Sequence, residues 1–67
     1  MSPLKLLWRL QGTSVRVRLK SGLDYTGTLI SSDKYFNLYL KQARQNNQIW
    51  SELWIRNNQI LYLQSIV

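Results

Sequence analysis

Two short segments of this chain carry side chains that could bind an unstacked nucleobase. Residues 33–37 read Asp-Lys-Tyr-Phe-Asn, and residues 55–58, further along the chain, read Ile-Arg-Asn-Asn. An aromatic ring and a guanidinium plane can sandwich a base between them, while a carboxamide hydrogen-bonds the edge of the base. The two segments therefore predict that Tyr35, Asn37 and Arg56 contact single-stranded RNA.

The same residues also have interpretations that involve no RNA. Tyr35 could be a half-buried strand aromatic, Asn37 could hydrogen-bond its own loop, and Arg56 could be a solvated charge. We expect Asp33 and Asn58 to support the two segments through hydrogen bonds and not to touch RNA. Mutation separates these interpretations, because a subunit that does not contact RNA would lose no affinity for RNA if Tyr35 or Arg56 were changed.

The composition limits the classes of function that are open to the chain. Nine Lys and Arg against three Asp and Glu give the 67 residues a net charge of +6, which favours a polyanionic partner. Cysteine and histidine are absent, which excludes disulfides, Cys/His zinc sites, a cysteine nucleophile and a histidine base. The three carboxylates are too scattered to predict a catalytic pair. We therefore expect no enzymatic activity, no cofactor and no bound metal.

The length of the chain predicts one domain over residues 1–67, with a thin core that an oligomeric partner would help to complete. No apolar run approaches the ~20 residues that span a bilayer, and residues 1–10 lack the apolar centre of a signal peptide. The expected location is therefore the cytosol or the nucleus.

The first elements that position these segments are a short helix and a strand. Ser-Pro at residues 2–3 fits a helix start and Gly12 a helix end, so a helix is predicted over about residues 3–10, with Trp8 seating it on the sheet. From Val15 onward, apolar residues alternate with basic ones, which is typical of a strand with one buried face. The basic row is expected to be the solvated face of this strand; its members are Arg16, Arg18 and Lys20.

Four further strands are predicted, at about residues 24–31, 36–41, 50–56 and 59–65. Gly27 is expected to let the second of these five strands bend sharply. The polar stretch 42–48 is predicted to be a hairpin tip, and Asn57-Asn58 a tight two-residue turn. The expected fold class is mainly β, with a short helix and a strongly bent, five-stranded antiparallel sheet that forms a small, partly open barrel.

With these elements in place, the sequence resembles the Sm and Sm-like (LSm) protein family. The first Sm motif is matched by residues 15–22 (Val-Arg-Val-Arg-Leu-Lys-Ser-Gly), 25–29 (Tyr-Thr-Gly-Thr-Leu) and 33–37 (Asp-Lys-Tyr-Phe-Asn). The second is matched by residues 55–63 (Ile-Arg-Asn-Asn-Gln-Ile-Leu-Tyr-Leu). Two halves in the expected order are a more specific signal than a single short pattern.

The resemblance predicts a single Sm domain with its motifs over about residues 14–41 and 51–64. Within the family, the sequence is most similar to the F subunit of the spliceosomal Sm ring, with the sixth subunit of the Sm-like ring as its neighbour. Asn57 departs from the family pattern, which has Gly, or Cys in the F subunit, at this position. Because carboxamide residues tolerate left-handed geometry, we expect the turn to form nevertheless.

The resemblance implies a heteromeric, seven-membered ring in which the fourth strand of one subunit pairs with the fifth strand of the next. E-like and G-like subunits would be the neighbours, and the isolated chain could form a homo-oligomeric ring. The sequence agrees, because an apolar fifth strand without a central Lys or Pro is an unprotected edge. The expected subunit-interface residues are Trp54, Leu61, Tyr62 and Leu63.

The function that the resemblance implies is that of a core component of small nuclear ribonucleoproteins in pre-mRNA splicing, which binds a uridine-rich single strand in the ring hole. The implied location is the nucleus, after assembly in the cytoplasm, with no membrane partner. Three alternatives are an Sm-like ring subunit in RNA processing or decay, a purely structural ring subunit with little RNA contact, and a membrane or polyanion binder that uses the basic row alone.

Overall fold

The computed structural model of the protein describes residues 7–66, which contain five strands. Residues 7–9 are helical, and the predicted helix start at residues 2–3 lies outside the described residues, as do residues 4–6 of the predicted helix. The predicted mainly β class, with a short N-terminal helix and five antiparallel strands, is confirmed. No helix in residues 7–66 is long and apolar enough to cross a membrane. The strands are β1 (Ser14–Leu19), β2 (Asp24–Ser32), β3 (Leu38–Gln45), β4 (Gln48–Ile55) and β5 (Ile60–Ser65), with a 3-10 turn, Asn57–Gln59, between β4 and β5.

The five strands form one sheet in the order β4-β3-β2-β1-β5. Every neighbouring pair is antiparallel, and β5 pairs with β1, so β4 and β5 are the two edges. The predicted two-residue turn at Asn57-Asn58 is therefore wrong, because such a turn would have paired β5 with β4. The chain instead passes from Arg56, in extended geometry, through the 3-10 turn, and neither Asn57 nor Asn58 has a positive φ.

The core lies on one face of the bent sheet. In β1 the buried residues Val15 and Val17 alternate with exposed ones, as the sequence pattern predicted. Leu7 and Leu10 pack against this core, whereas the Trp8 side chain is 68% exposed, so the prediction that Trp8 seats the helix is wrong. Residues three apart on a helix share a face, which places Leu7 and Leu10 together and Trp8 off that face. The fully buried core residues are Val15, Val17, Leu29, Leu38, Leu40, Ala43 and Ile55.

A close approach of two backbones bends the middle of the sheet. The pairing of β2 with β3 shifts register between Thr26 and Thr28, and Gln42 opposite them has a φ of 53°. A Cβ atom on Gly27 would lie 3.0 Å from the Lys41 carbonyl oxygen and 3.1 Å from the Ala43 Cα. Glycine is thus required here for two reasons: a side chain would collide with the β3 backbone, and the strand must bend.

The β3–β4 hairpin is longer than the sequence predicted. Residues 42–48 were expected to be its tip, but β3 continues to Gln45, Ala43 is buried, and only residues 46–47 turn. Asn46 takes the left-handed conformation that this turn requires, with a φ of 57°. The polar residues at the end of β3 form a strand because their backbones pair with neighbouring strands, while their side chains face solvent.

Candidate RNA-binding site

The loop at residues 33–37 is built around the Asp33 carboxylate. One carboxylate oxygen, Oδ1, accepts hydrogen bonds from the backbone N–H groups of Tyr35 (2.9 Å) and Asn37 (3.0 Å). The other, Oδ2, accepts one from the Asn37 side-chain Nδ2 (3.0 Å). The Phe36 N–H donates to the Asp33 carbonyl at 3.0 Å, and Phe36 has a φ of 66°. One carboxylate thus holds a tight loop in which a bulky residue takes an uncommon backbone conformation.

These contacts also keep Asp33 ionised. The hydrogen bond from the Asn37 side chain is the largest effect, and the backbone N–H groups of Asn37 and Tyr35 act in the same direction. Partial burial of the carboxyl group opposes them, but the net result is that the pKa of Asp33 is lowered from its ordinary value of 3.8. The loop therefore keeps its charged anchor throughout the neutral range.

The Asn37 side chain joins this loop to the second segment. Its Oδ1 accepts a hydrogen bond from the Asn57 backbone N–H at 2.9 Å, across 20 positions of sequence. The adjacent pairing of Leu38 with Ile55 in the β3–β4 ladder brings the two segments to the same end of the hairpin. A carboxamide has two N–H donors and two acceptor lone pairs. With one donor used on Asp33 and one lone pair on Asn57, Asn37 keeps one of each for a ligand, in a fixed orientation.

Tyr35 and Arg56 are exposed, and each precedes one of the two residues that this hydrogen bond joins. Tyr35 lies two residues before Asn37, and its side chain is 63% exposed. Arg56 lies one residue before Asn57, is exposed, and has extended backbone angles of φ −77° and ψ 140°. The Lys34 Nζ lies 5.1 Å from the centre of the Tyr35 ring, a cation–π distance. An aromatic ring, a guanidinium and an oriented amide are thus carried by two segments that one hydrogen bond connects.

Sequence reasoning missed two features of this site. The donor that fixes the Asn37 side chain is the backbone N–H of Asn57, which no side-chain pattern signals. Asn58, the residue expected to support the turn, is exposed within the 3-10 turn. The left-handed conformation falls on Phe36, where no glycine or asparagine marks it in the sequence. The spacing of Asp33 and Asn37 was the available signal for the loop, because an aspartate commonly accepts hydrogen bonds from residues that follow it.

The two edge strands expose apolar side chains. On β4 the Trp54 side chain is 68% exposed and its ring stacks on Tyr39, with centroids 4.4 Å apart and planes at 11°. On β5, Leu61 and Tyr62 are exposed, while Leu63 is half-buried and packs against the core. The four predicted interface residues therefore lie on the two open edges of the sheet, although Leu63 also packs against the core of its own chain.

The family model of the LSM domain matches residues 5–65 of the chain. The LSM complex subunit lsm6 of Schizosaccharomyces pombe is 33% identical over 70 aligned positions, and the alignment covers 97% of this chain and 93% of that protein. The U6 snRNA-associated Sm-like protein LSm6 of Lodderomyces elongisporus is 31% identical over 68 aligned positions, and the alignment covers 94% of this chain and 85% of that protein.

The fold is shared with a solved structure of an archaeal protein. The Sm protein of Pyrococcus abyssii, in complex with a uridine heptamer, superimposes with a TM-score of 0.91 at 26% sequence identity. The superposition covers 97% of this chain and 99% of that one. The similarity therefore extends over nearly the whole of both chains.

Proposed function

Because the chain belongs to the LSM domain family of Sm and Sm-like proteins, we propose that it is an RNA-binding ring subunit whose slot holds one base of a uridine-rich single strand. The Tyr35 ring and the Arg56 guanidinium sandwich the base, and the Asn37 amide hydrogen-bonds its edge. Each such stack contributes about 1 to 3 kcal/mol. A single slot binds weakly, and a ring that repeats it gains affinity because one strand occupies several slots at once.

The observation that carries this proposal is the hydrogen-bonded chain from Asp33 through the Asn37 side chain to Asn57. The hydrogen bonds to Asp33 and Asn57 use one donor and one acceptor lone pair of the Asn37 amide, and they orient the donor and the lone pair that remain. Tyr35, two residues before Asn37, and Arg56, one residue before Asn57, are both exposed and carry the stacking planes. The complex of the similar archaeal Sm protein with a uridine heptamer supports uridine as the base.

The exposed edges support assembly into a ring. β4 and β5 are opposite edges of one sheet, each with unpaired backbone groups and exposed apolar side chains. Pairing β4 of one subunit with β5 of the next satisfies both edges, and repeating this pairing closes a ring. We place Trp54, Leu61, Tyr62 and Leu63 in this interface, in a heteromeric, seven-membered ring with E-like and G-like neighbours.

The cellular role that we propose is in small nuclear ribonucleoproteins that act in pre-mRNA splicing, with cytoplasmic assembly and nuclear residence. Within the family, the motif sequence favours an F-type subunit. The related LSm6 proteins support a second candidate, the sixth subunit of an Sm-like ring in RNA processing, since one of them is described as U6 snRNA-associated. Native mass spectrometry after co-expression with either set of partner subunits distinguishes the two rings.

The slot is tested by measuring the binding of a uridine heptamer to the assembled ring. We expect Tyr35→Ala to lower the affinity on the order of tenfold, because it removes a stacking plane, and Tyr35→Phe to retain most of it. Asn37→Ala should also weaken binding, whereas Asn47→Ala, at the exposed hairpin tip, is the matched control and should not. Unchanged affinity in Tyr35→Ala and Asn37→Ala, with the ring intact, would show a purely structural subunit.

A further inference from the structure

A polar cleft lies on the outer face of the sheet, opposite the core. The register aligns Arg44, Thr26, Arg16 and Gln64 in one row across β3, β2, β1 and β5. Val15 and Val17 are buried, so Arg16 between them faces outward, and paired residues in neighbouring antiparallel strands share a face. The row lies in a cleft of about 630 Å³, whose other lining residues include Asp24, Gln45 and Asn46.

The charges in this cleft do not balance. Arg18 binds Asp24 in a fork, with Nε 2.7 Å from Oδ1 and Nη2 2.6 Å from Oδ2. Arg16 reaches the same Oδ2 with only one nitrogen, Nη2, at 3.1 Å. The single carboxylate is therefore matched by Arg18, and Arg16 is a surplus cation with N–H donors still available.

The pKa values agree with this assignment. Burial on its own would raise the pKa of Asp24, but the hydrogen bonds from Arg18 and Arg16 outweigh it, so that pKa is lowered. The pKa of Arg18 is raised, first by its hydrogen bond to Asp24 and then by the charge of Asp24. The carboxylate and its fork-bound partner thus both stay charged, and they neutralise each other.

Arg44 adds a second cation to the cleft. In the described part of the chain it takes part in no salt bridge, and Asp24 is the only carboxylate among the described residues that line the cleft. Arg16 and Arg44 face each other across the single strand β2, so their guanidinium groups can converge on one anion above Thr26. Two convergent guanidiniums with neighbouring hydroxyl and amide donors form the usual recognition set for a phosphate group.

We propose that this cleft is a second nucleic-acid contact, which binds the phosphodiester backbone of an RNA strand without reading its bases. It lies at the Arg44 end of β3, whereas the base slot lies beyond the Leu38 end, on the order of 20 Å away at the rise of a strand. The two sites share no residue. An RNA longer than the slots can hold therefore reaches the cleft, and a strand that only fills the slots does not.

The test compares a uridine heptamer with a much longer oligouridine on the assembled ring. We expect Arg44→Gln to leave the affinity for the heptamer unchanged and to lower that for the long RNA by about threefold to tenfold. The slope of log affinity against log salt for the long RNA should fall by about 0.7 per lost phosphate contact. Arg16→Gln should have the same effect on both RNAs. Arg18→Gln removes the main partner of Asp24 and is used to report on folding.

Lys41→Gln is the matched control, because it removes one positive charge from the same strand outside the cleft. Equal losses in Lys41→Gln and Arg44→Gln would show general electrostatic attraction and overturn the proposal, as would an unchanged affinity of Arg44→Gln for long RNA. The side-chain N–H resonances of Arg16 and Arg44 should shift with long oligouridine. If they shift with inorganic phosphate only, the cleft is a free-anion site and the proposal is wrong. Because the heptamer reports on the slot alone, failure of the proposed slot can be distinguished from failure of the proposed cleft.

Discussion

Asn37 is the residue on which the proposed slot depends most. Its side chain is held by Asp33 at one end and by the Asn57 N–H at the other, so its remaining donor and acceptor point in fixed directions. The anchor on each side is independent of the ligand, which means that little side-chain entropy is lost when a base binds. The loop accepts a left-handed Phe36 to achieve this arrangement.

Arg56 allows a sharper test of stacking than removal of the side chain. If Arg56 supplied only positive charge, Arg56→Lys would keep most of the affinity for a uridine heptamer. A stacked guanidinium cannot be replaced by an ammonium group, which has no plane and no fixed fork of donors. We expect Arg56→Lys to lose on the order of 1 kcal/mol or more per stacked base, measured by titration calorimetry.

Arg9→Lys is the control for this substitution, because Arg9 is an exposed arginine on the N-terminal helix and belongs to neither of the segments 33–37 and 55–58. It should bind the heptamer like the unaltered protein. Full retention of heptamer binding by Arg56→Lys would reduce Arg56 to a screening charge.

At the level of elements, Gly27 decides how β2 and β3 fit together. We expect Gly27→Ala to lower the free energy of unfolding by about 1 to 3 kcal/mol, because the new methyl group meets backbone atoms that cannot rotate away. Chemical denaturation of the assembled protein, followed by tryptophan fluorescence, measures the loss.

Gly22→Ala gives a useful comparison for this prediction. A Cβ atom at Gly22 meets nothing within 4 Å, and its cost comes only from the φ of 96°. The expected destabilisation is therefore that of left-handed backbone alone, about 1 to 2 kcal/mol. If Gly27→Ala were as stable as the unaltered protein, the close approach of β2 and β3 would not constrain the sheet.

On the scale of the whole molecule, the open edges predict that the isolated chain associates with itself. Both edges expose apolar side chains, and a chain of 67 residues has a small core of its own. Sedimentation velocity should show a ring-sized species, and Trp54→Lys on the β4 edge should shift it towards monomer. Tyr35→Ala, which changes an exposed aromatic residue in a loop and not on an edge strand, should not. A clean monomer at tens of micromolar, on the order used in such assays, with a cooperative melt would contradict this prediction.

The pH dependence of folding follows from three shifted groups. The pKa values of Asp24 and Asp33 are lowered below 3.8 in the folded state, so their stabilisation is present above that pH and lost as the pH falls through the folded values. Burial, aided by Glu52, raises the pKa of Tyr39 above 10.0, so the folded state loses stability once the unfolded tyrosine ionises above that pH.

Between these limits the chain has no histidine and no cysteine to titrate. We therefore expect a plateau in the free energy of unfolding between about pH 5 and pH 9, measured by urea denaturation in a pH series. Asp33→Asn should reduce the acid-side slope. A marked change in stability near pH 6.5 would contradict the assignment.

The sequence by itself determined the number and the order of the strands and the resemblance to the family. Alternation of apolar and basic residues located β1, and the motif at residues 33–37 located the loop, because burial of one strand face and local hydrogen bonding act within a few residues. Alternation could not show where β3 ends, since the polar side chains after Lys41 face solvent and carry no burial signal.

Only the tertiary structure decided how distant segments meet. The pairing of β5 with β1, the seating of the helix by Leu7 and Leu10 in place of Trp8, and the bond from the Asn57 N–H to Asn37 all join residues far apart in sequence. Such contacts depend on which strand reaches which partner when the whole sheet bends, and a backbone donor looks the same at every position. For that reason Tyr35, Asn37 and Arg56 could be named from the sequence, whereas the support that orients Asn37 could not.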